Sequence, residues 1–236
     1  GDDTLKTANY LYRMQDLMPE LRRIRIVHLP KTIDNDYYGI DWTFGFTSAA
    51  HFAATEIRNI GADARSTKAW YVLEIMGRKA GWLTYAAGIA GEATRMLSVE
   101  DFDGRFDRDA VARELVDLML TRAGDGREYG VICIAEGLAD ILPDGQRPQI
   151  VDEHGNSMLG SVRIGEFVAE DITAEADSGD GADGWKGAAE KEAAPIEVAV
   201  WDAAQASSIW FSNGMPEKLK MRMESEAVGS CRLFSQ

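Results

Sequence analysis

Short continuous apolar runs alternate with segments of helical spacing along the first 172 residues. The runs at 24–29, 70–75 and 129–135 predict strands, because unbroken apolar runs are typical of strands that are buried on both faces. Helical spacing between and around them predicts helices at 4–18, 43–60, 81–93, 107–123 and 160–172. The alternation predicts an α/β fold, with a Rossmann-like parallel sheet that has helices on both faces.

The character of the chain changes near residue 173. Residues 173–195 are dominated by Ala, Gly, Asp and Glu, a composition that is typical of a flexible acidic linker. Residues 196–236 regain apolar side chains but have no clear periodicity. We therefore expect three parts: a domain over 1–172, a linker over 173–195 and a divergent C-terminal segment of unknown role over 196–236.

The formal net charge of −14 bears on which classes of partner the chain can bind. Nucleic acid binding depends on neutralising phosphates with Lys and Arg, so we expect no nucleic acid partner. No stretch approaches the roughly 18 apolar residues of a membrane span, and no secretory signal pattern is visible, so we expect no membrane partner. The two cysteines are too few for a disulfide framework, which favours a cytoplasmic location.

Polar side chains follow each predicted strand, at the sheet edge where ligands bind in open α/β folds. Thr32, Asp34 and Asp36 come after the first run, and these carboxylates could serve as a base and a cation ligand. Arg78 follows the second run, and its planar fork suits phosphate. Glu136 follows the third. Each has an ordinary alternative, such as a polar turn closed by Asx hydrogen bonds or a solvated surface Arg.

A further segment, Gly1-Asp2-Asp3-Thr4, opens the first predicted helix. Unsatisfied backbone N–H groups at a helix N-terminus can hold an anion or a metal-bound phosphate. An acidic helix start is also commonplace, so this segment alone decides nothing.

Taken together and in this order, these motifs resemble those of the phosphofructokinase family, over roughly residues 1–172. The segments that carry the resemblance are Gly1-Asp2-Asp3, Pro30-Lys31-Thr32-Ile33-Asp34-Asn35-Asp36, Gly39-Ile40-Asp41, Thr43-Phe44-Gly45-Phe46, Met76-Gly77-Arg78 and Ala135-Glu136-Gly137.

The resemblance implies phosphoryl transfer to the 1-hydroxyl of fructose 6-phosphate, with Mg²⁺ as the cofactor. Asp34 is then the general base, with Thr32 and Asp36 beside the reacting groups, and Asp2 places the metal. The implied sugar-phosphate ligands are Met76, Gly77, Arg78 and Glu136.

The implied donor site consists of Gly1, Asp3, Thr4 and Lys31. Members of the family that use ATP tend to carry glycine at the Asp3 position and often at the Lys31 position. A carboxylate at Asp3 would repel the α-phosphate of a nucleotide, and an ammonium at Lys31 would compensate the charge of free pyrophosphate. Pyrophosphate is therefore favoured over ATP, which stays open as the alternative.

Two departures from the family pattern bear on activity. The strand and glycine-rich phosphate loop that precede the Gly-Asp-Asp motif in the family are absent, and no Arg/His motif is found after Ile172. Both ends are therefore expected to be incomplete, with weak donor binding by the isolated chain. Three alternatives stay open: a non-catalytic or truncated sugar-phosphate-binding subunit, an NAD kinase or a lipid kinase. A homo-oligomer is implied for the complete protein.

Overall fold

The computed structural model describes residues 2–18, 22–146 and 162–178, together with two short strands at 198–200 and 210–212. The helices are α1 (Asp2–Met14), α2 (Phe46–Thr67), α3 (Trp82–Gly91), α4 (Arg108–Gly124) and α5 (Ile164–Ser178). The strands are β1 (Lys31–Thr32), β2 (Phe44–Gly45), β3 (Trp70–Ile75), β4 (Arg95–Leu97), β5 (Gly130–Ala135), β6 (Val198–Val200) and β7 (Trp210–Ser212). Short 3₁₀ helices cover Gln15–Leu17, Val99–Asp101 and Glu136–Ile141.

The centre of the fold is a parallel three-stranded sheet in the order β3-β5-β4. Every residue of β3 and β5 is buried. On one face, α4 and α5 pack against Val72 and Ile132, and on the other, α2 and α3 pack against Leu73 and Val131. This arrangement confirms the predicted α/β fold with helices on both faces of a parallel sheet.

The sequence did not predict β4. It spans only Arg95–Leu97, and two of its three residues are half-buried. Such a short run carries too little periodicity to distinguish it from a loop. Its pairing with the central strand β5 nevertheless places a third loop, which begins at Ser98, at the carboxyl edge of the sheet.

The predicted strand at 24–29 is wrong, because these residues have no regular structure. Ile24, Val27 and Leu29 are 71%, 83% and 63% exposed. A strand is stable only where a neighbour satisfies its backbone N–H and C=O groups, and no strand lies beside 24–29 in the described part of the chain. Strand pairing begins later, where Lys31 and Thr32 of β1 pair in parallel with β2.

The helix boundaries differ from the predicted ones at several ends. Helix α1 ends at Met14, before its predicted end at residue 18, and α2 continues past residue 60 to Thr67. Helix α4 was predicted over 107–123 and begins one residue later, after Asp107, whose carboxylate accepts a hydrogen bond from the Ala110 N–H at 3.1 Å. A side-chain cap of this kind satisfies one of the N–H groups that a helix start leaves open.

Helix α5 extends past the predicted boundary at residue 172, so the first residues of the predicted linker are helical. Two contacts hold α5 on the domain. Asp171 accepts two hydrogen bonds from the Arg108 guanidinium, at 2.6 and 2.7 Å, and the buried Glu74 of β3 accepts one from the Gly165 N–H at 2.9 Å. The rest of the predicted linker, 179–195, lies outside the described residues. In the segment beyond it, β6 and β7 form an antiparallel pair.

No helix in the described part of the chain combines the length and the apolar character that a membrane crossing needs.

The reactivity of the Cys133 thiol, which lies on β5, can be used to test whether this strand is buried. Cys133 is buried, and desolvation raises the pKa of its thiol from 9.0 to about 12. Since only the thiolate reacts, we expect Cys133 to resist a disulfide reagent at mildly alkaline pH in the native chain and to react after denaturation. A Cys231→Ser variant isolates this signal, because the chain has two cysteines. Rapid labelling of the native variant would contradict the buried strand.

The same shift has a consequence for stability. The pKa of the Cys133 thiol in the folded state lies above its ordinary value. The neutral thiol therefore contributes its full stabilisation of the folded state below pH 9.0, and this contribution is lost as the pH rises toward about 12.

Candidate active site

Asp34 is held by the residue two positions before it. The Thr32 hydroxyl donates a hydrogen bond to Asp34 Oδ2 at 3.3 Å and accepts one from the Asp34 backbone N–H at 3.2 Å. Ile33, between them, packs against the core cluster of α2, α3 and β3. The predicted pair Thr32 and Asp34 is therefore in direct contact, on a segment that is anchored to the core.

The loop that follows is closed by Asn35, which has a left-handed backbone with φ of 56°. Asparagine tolerates this conformation better than most residues. Its Oδ1 accepts a hydrogen bond from the Thr43 N–H at 2.8 Å, and its Nδ2 donates one to the Asp41 carbonyl at 3.2 Å. The Thr43 hydroxyl in turn donates to the Thr32 carbonyl at 2.7 Å. These hydrogen bonds span six and eight residues, so Asn35 closes a longer loop and not the predicted Asx turn, and this closure holds the segment that carries Asp34.

Asp36 lies within this closed loop and is half-buried. Its carboxylate makes no hydrogen bond or ion pair with the described residues. No cluster of three or more His, Cys, Asp or Glu side chains that could hold a metal occurs in the described ranges. Mg²⁺ is usually held by one or two carboxylates together with water and substrate phosphates, so a single carboxylate such as Asp36 fits a metal that arrives with phosphate.

The loops after β3 and β5 touch through their backbones. The Gly137 N–H donates a hydrogen bond to the Gly77 carbonyl at 3.0 Å. A Cβ atom on Gly137 would lie 2.5 Å from the Arg78 carbonyl oxygen and 2.7 Å from that of Gly77. This close approach requires glycine at 137, and it brings the predicted residues Met76, Gly77 and Arg78 beside Glu136.

The side chains of this edge differ in exposure. Arg78 and the adjacent Lys79 are exposed, and neither forms a hydrogen bond or ion pair with the described residues. Met76 and Glu136 are half-buried, and Glu136 begins the 3₁₀ turn that follows β5. Two exposed cations therefore lie on the loop whose backbone contacts Gly137, the residue after Glu136, although the chain as a whole is negatively charged.

The loop after β4 is a part of this edge that the sequence analysis missed. Glu100 accepts hydrogen bonds from the Gly81 N–H, at 2.9 and 3.2 Å, and from the Ser98 hydroxyl. Asp101 accepts from the Ser98 N–H at 2.8 Å and from the Tyr85 hydroxyl at 2.5 Å. Burial and then Asp101 raise the pKa of Tyr85 to about 12. The spacing Ser98-x-x-Asp101 is a capping-box pattern, and this pattern was the feature of the sequence that could have identified the loop.

The predicted donor residues are less fully described. Asp2 and Asp3 lie in the first turn of α1, and Thr4 is exposed, while Gly1 and the side chains of Asp2 and Asp3 lie outside the described residues. Lys31 is exposed at the start of β1, and its N–H donates to the Leu29 carbonyl at 2.8 Å. Acidic residues in a first turn complement the helix dipole, so the donor roles of this segment stay predictions.

Comparison with known proteins points to one family. The family model described as Phosphofructokinase matches residues 1–195. The pyrophosphate–fructose 6-phosphate 1-phosphotransferase of Thermotoga maritima is 32% identical over 180 residues, which cover 73% of this chain and 42% of that protein. The ATP-dependent 6-phosphofructokinase 3 of Bacteroides thetaiotaomicron is 33% identical over 175 residues, which cover 74% and 42%. The chain therefore spans less than half the length of these curated relatives.

Solved structures with similar folds include two phosphofructokinases. A pyrophosphate-dependent phosphofructokinase from Marinobacter aquaeolei has a TM-score of 0.46 and 22% identity, with 91% of this chain and 56% of that chain covered. The phosphofructokinase from Saccharomyces cerevisiae has a TM-score of 0.48 and 20% identity, with 99% and 32% covered. At these values, nothing about individual residues is transferred from them.

The contact between the loops after β3 and β5 can be tested by adding one methyl group. In Gly137→Ala, the new Cβ overlaps two carbonyl oxygens, so the loop at 77–78 must move. We expect the free energy of unfolding to fall by about 1–3 kcal/mol, as in other overpacked sites, when measured by urea denaturation. Gly124→Ala is the matched control, because no atom lies within 4 Å of its added Cβ. Equal stability of the two variants would refute the close contact.

Proposed function

Because this chain belongs to the phosphofructokinase family, we propose that its natural protein transfers a phosphoryl group from pyrophosphate to the 1-hydroxyl of fructose 6-phosphate. The observation that carries the proposal is the pair of hydrogen bonds between Thr32 and Asp34, which orients a carboxylate on an anchored loop. Glycolytic phosphorylation of the sugar would be the physiological role.

In this proposal, Asp34 is the general base. Proton transfer to a positioned side chain contributes roughly 10²–10⁴-fold to a rate, and it requires a base in a fixed orientation. The Thr32 hydroxyl, which binds Oδ2, provides that orientation. Asp36, whose carboxylate makes no hydrogen bond or ion pair with the described residues, would assist the base or the metal.

The sugar phosphate would bind at the edge formed by the loops after β3 and β5. Arg78 would donate to phosphate oxygens through its planar fork, while Met76 and Gly77 would line the ligand. Glu136 would accept hydrogen bonds from sugar hydroxyls. The exposure of Arg78 and its lack of a partner within the described chain support this role, since no ion pair has to be broken before phosphate binds.

The donor would bind near the start of α1, with Gly1, Asp3, Thr4 and Lys31 as its contacts. Bound Mg²⁺ would neutralise charge on the transferred phosphoryl group, and Asp2 would hold it directly or through water. Relatives named for pyrophosphate and for ATP have nearly the same identity to this chain, 32% and 33%, so overall similarity does not choose the donor. The charges of Asp3 and Lys31 favour pyrophosphate.

A second candidate function is sugar-phosphate binding without turnover. The sugar side of the site rests on three mutually bonded loops, whereas on the donor side Leu5, Leu11 and Leu29 are exposed. This contrast favours a chain that holds fructose 6-phosphate more firmly than it holds the donor. Binding of the sugar phosphate with no turnover in the full natural chain would support this alternative.

The role of Asp34 is tested by Asp34→Asn in the full natural chain that carries this sequence. We expect kcat with pyrophosphate to fall roughly 10²–10⁴-fold, because the amide cannot accept the proton. The Kd for fructose 6-phosphate should stay close to that of the unmodified protein, because the amide has nearly the shape of the carboxylate. Turnover is measured with pyrophosphate and with ATP, and the Kd is measured by calorimetry.

The matched control is Asp103→Asn, because Asp103 is exposed and its carboxylate makes no hydrogen bond or ion pair with the described residues. Its kcat should equal that of the unmodified protein. An Asp34→Asn variant with undiminished turnover would contradict the assignment of the base. Turnover with ATP and none with pyrophosphate would contradict the proposed donor.

A further inference from the structure

The loop from Met76 to Gly81 is held at both of its ends. Near its start, the Gly77 carbonyl accepts a hydrogen bond from the Gly137 N–H. At its end, the Gly81 N–H donates to the Glu100 carboxylate, at 2.9 and 3.2 Å. Only Arg78, Lys79 and Ala80 lie between these two attachments, so the backbone that carries Arg78 has little freedom to move.

We propose that Glu100, supported by Ser98, is a positioning residue that fixes the loop from Met76 to Gly81 for binding of the sugar phosphate. This inference rests on the proposed function and adds to it a residue from the loop after β4. Glu100 would not touch the ligand, and it would act through Gly81.

The Gly81 N–H is a suitable group through which Glu100 can fix the loop from Met76 to Gly81. Gly81 is buried and immediately precedes α3, so its N–H has no partner within the helix. A carboxylate at a helix N-terminus makes a charge-assisted hydrogen bond and interacts favourably with the helix dipole. Glu100 itself is exposed, so its loss would remove this charge-assisted hydrogen bond and leave the Gly81 N–H to water, and the loop would lose its second attachment.

Ser98 fixes the orientation of Glu100. Ser98 is fully buried, its hydroxyl donates to Glu100, and its N–H donates to Asp101 at 2.8 Å. A Cβ atom on Gly81 would overlap the Ser98 hydroxyl, which shows how closely the two loops approach. Glu100 is therefore held from its own side as well as from the side of α3.

For binding, the consequence is that the loop would hold the Arg78 guanidinium in place before the ligand arrives. Arg78 extends into solvent without a partner in the described chain, so neither an ion pair nor a second side chain holds its position. Its place at the sheet edge depends on the backbone of the loop alone. A loop that is rigid before the ligand arrives pays a smaller entropy cost on binding, so weakening its second attachment should weaken affinity.

The test uses the full natural chain with Glu100→Ala and Glu100→Gln. For Glu100→Ala, we expect the Kd for fructose 6-phosphate to rise by up to about tenfold, the limit set by the loss of one charge-assisted hydrogen bond, and the Kd for pyrophosphate to stay unchanged. Glu100→Gln keeps one acceptor oxygen for the Gly81 N–H, so its Kd should lie between those of the other two proteins. Hydrogen exchange should become faster at Gly81 and Gly137 in Glu100→Ala.

The matched control is Glu114→Gln. Glu114 is an exposed carboxylate that accepts hydrogen bonds from Arg95, at 3.0 and 2.7 Å, and it joins α4 to β4 away from the loop. Its removal should change neither Kd nor the exchange of the loop amides.

The outcomes separate the inference from the function on which it rests. If Glu100→Ala lowers thermal stability but leaves both Kd values unchanged, Glu100 is only a helix cap and the inference is overturned. If the unmodified protein does not bind fructose 6-phosphate, the proposed function fails, and hydrogen exchange then decides the loop attachment by itself. Unchanged exchange at Gly81 and Gly137 would overturn that attachment.

Discussion

Parallel pairing of β3 with β5 is the constraint on which the rest of the fold depends. The two strands pair from Trp70 opposite Gly130 to Ile75 opposite Ala135, and all of their residues are buried. Parallel strands that are buried on both faces need helices on both faces, which α2, α3, α4 and α5 supply. Because the strands run in one direction and end in register, the loops that follow them begin at the same edge.

The candidate site is built on that edge by a short series of backbone contacts. Gly137 binds Gly77, which joins the loops after β5 and β3, and Glu100 binds Gly81, which joins the loops after β4 and β3. Glycines at 81 and 137 allow the backbones to approach closely enough for these bonds. The carboxylate of Asp34 belongs to a separate frame, which Thr32 and Asn35 close and which Ile33 anchors to the core. The reaction would require these two frames to bind one sugar between them.

The sequence predicted the parts of the fold that are governed by burial. Strands β3 and β5 are apolar runs, and α4 has an apolar face formed by Val111, Leu115 and Met119, so pattern alone located them. The run at 24–29 is also rich in apolar residues, although Arg25 and His28 interrupt it, and it forms no strand. An apolar run shows that a segment is suited to burial, but it does not show that a neighbouring strand is present. The short strand β4 was not predicted for the opposite reason. Its pairing with β5 determines its structure more than its own three residues do.

The roles of the candidate residues stay predictions, and the contacts that hold these residues could not be predicted from the sequence. The placement of Asp34, Arg78 and Glu136 after apolar runs, together with a family resemblance, was sufficient to select them. The hydrogen bonds from Gly81 to Glu100 and from Gly137 to Gly77 join segments that are distant in sequence, so they depend on the register of the sheet. The role of Asn35 depends on a left-handed backbone, which its residue type permits but does not require.

The most direct test of the central claim is a crystal structure of the full natural protein with fructose 6-phosphate. We predict that the sugar phosphate lies against Arg78, with the 1-hydroxyl within hydrogen-bond reach, roughly 2.6–3.2 Å, of the Asp34 carboxylate. A sugar that is bound with its 1-hydroxyl away from Asp34, or bound away from the edge formed by the loops after β3 and β5, would contradict the account.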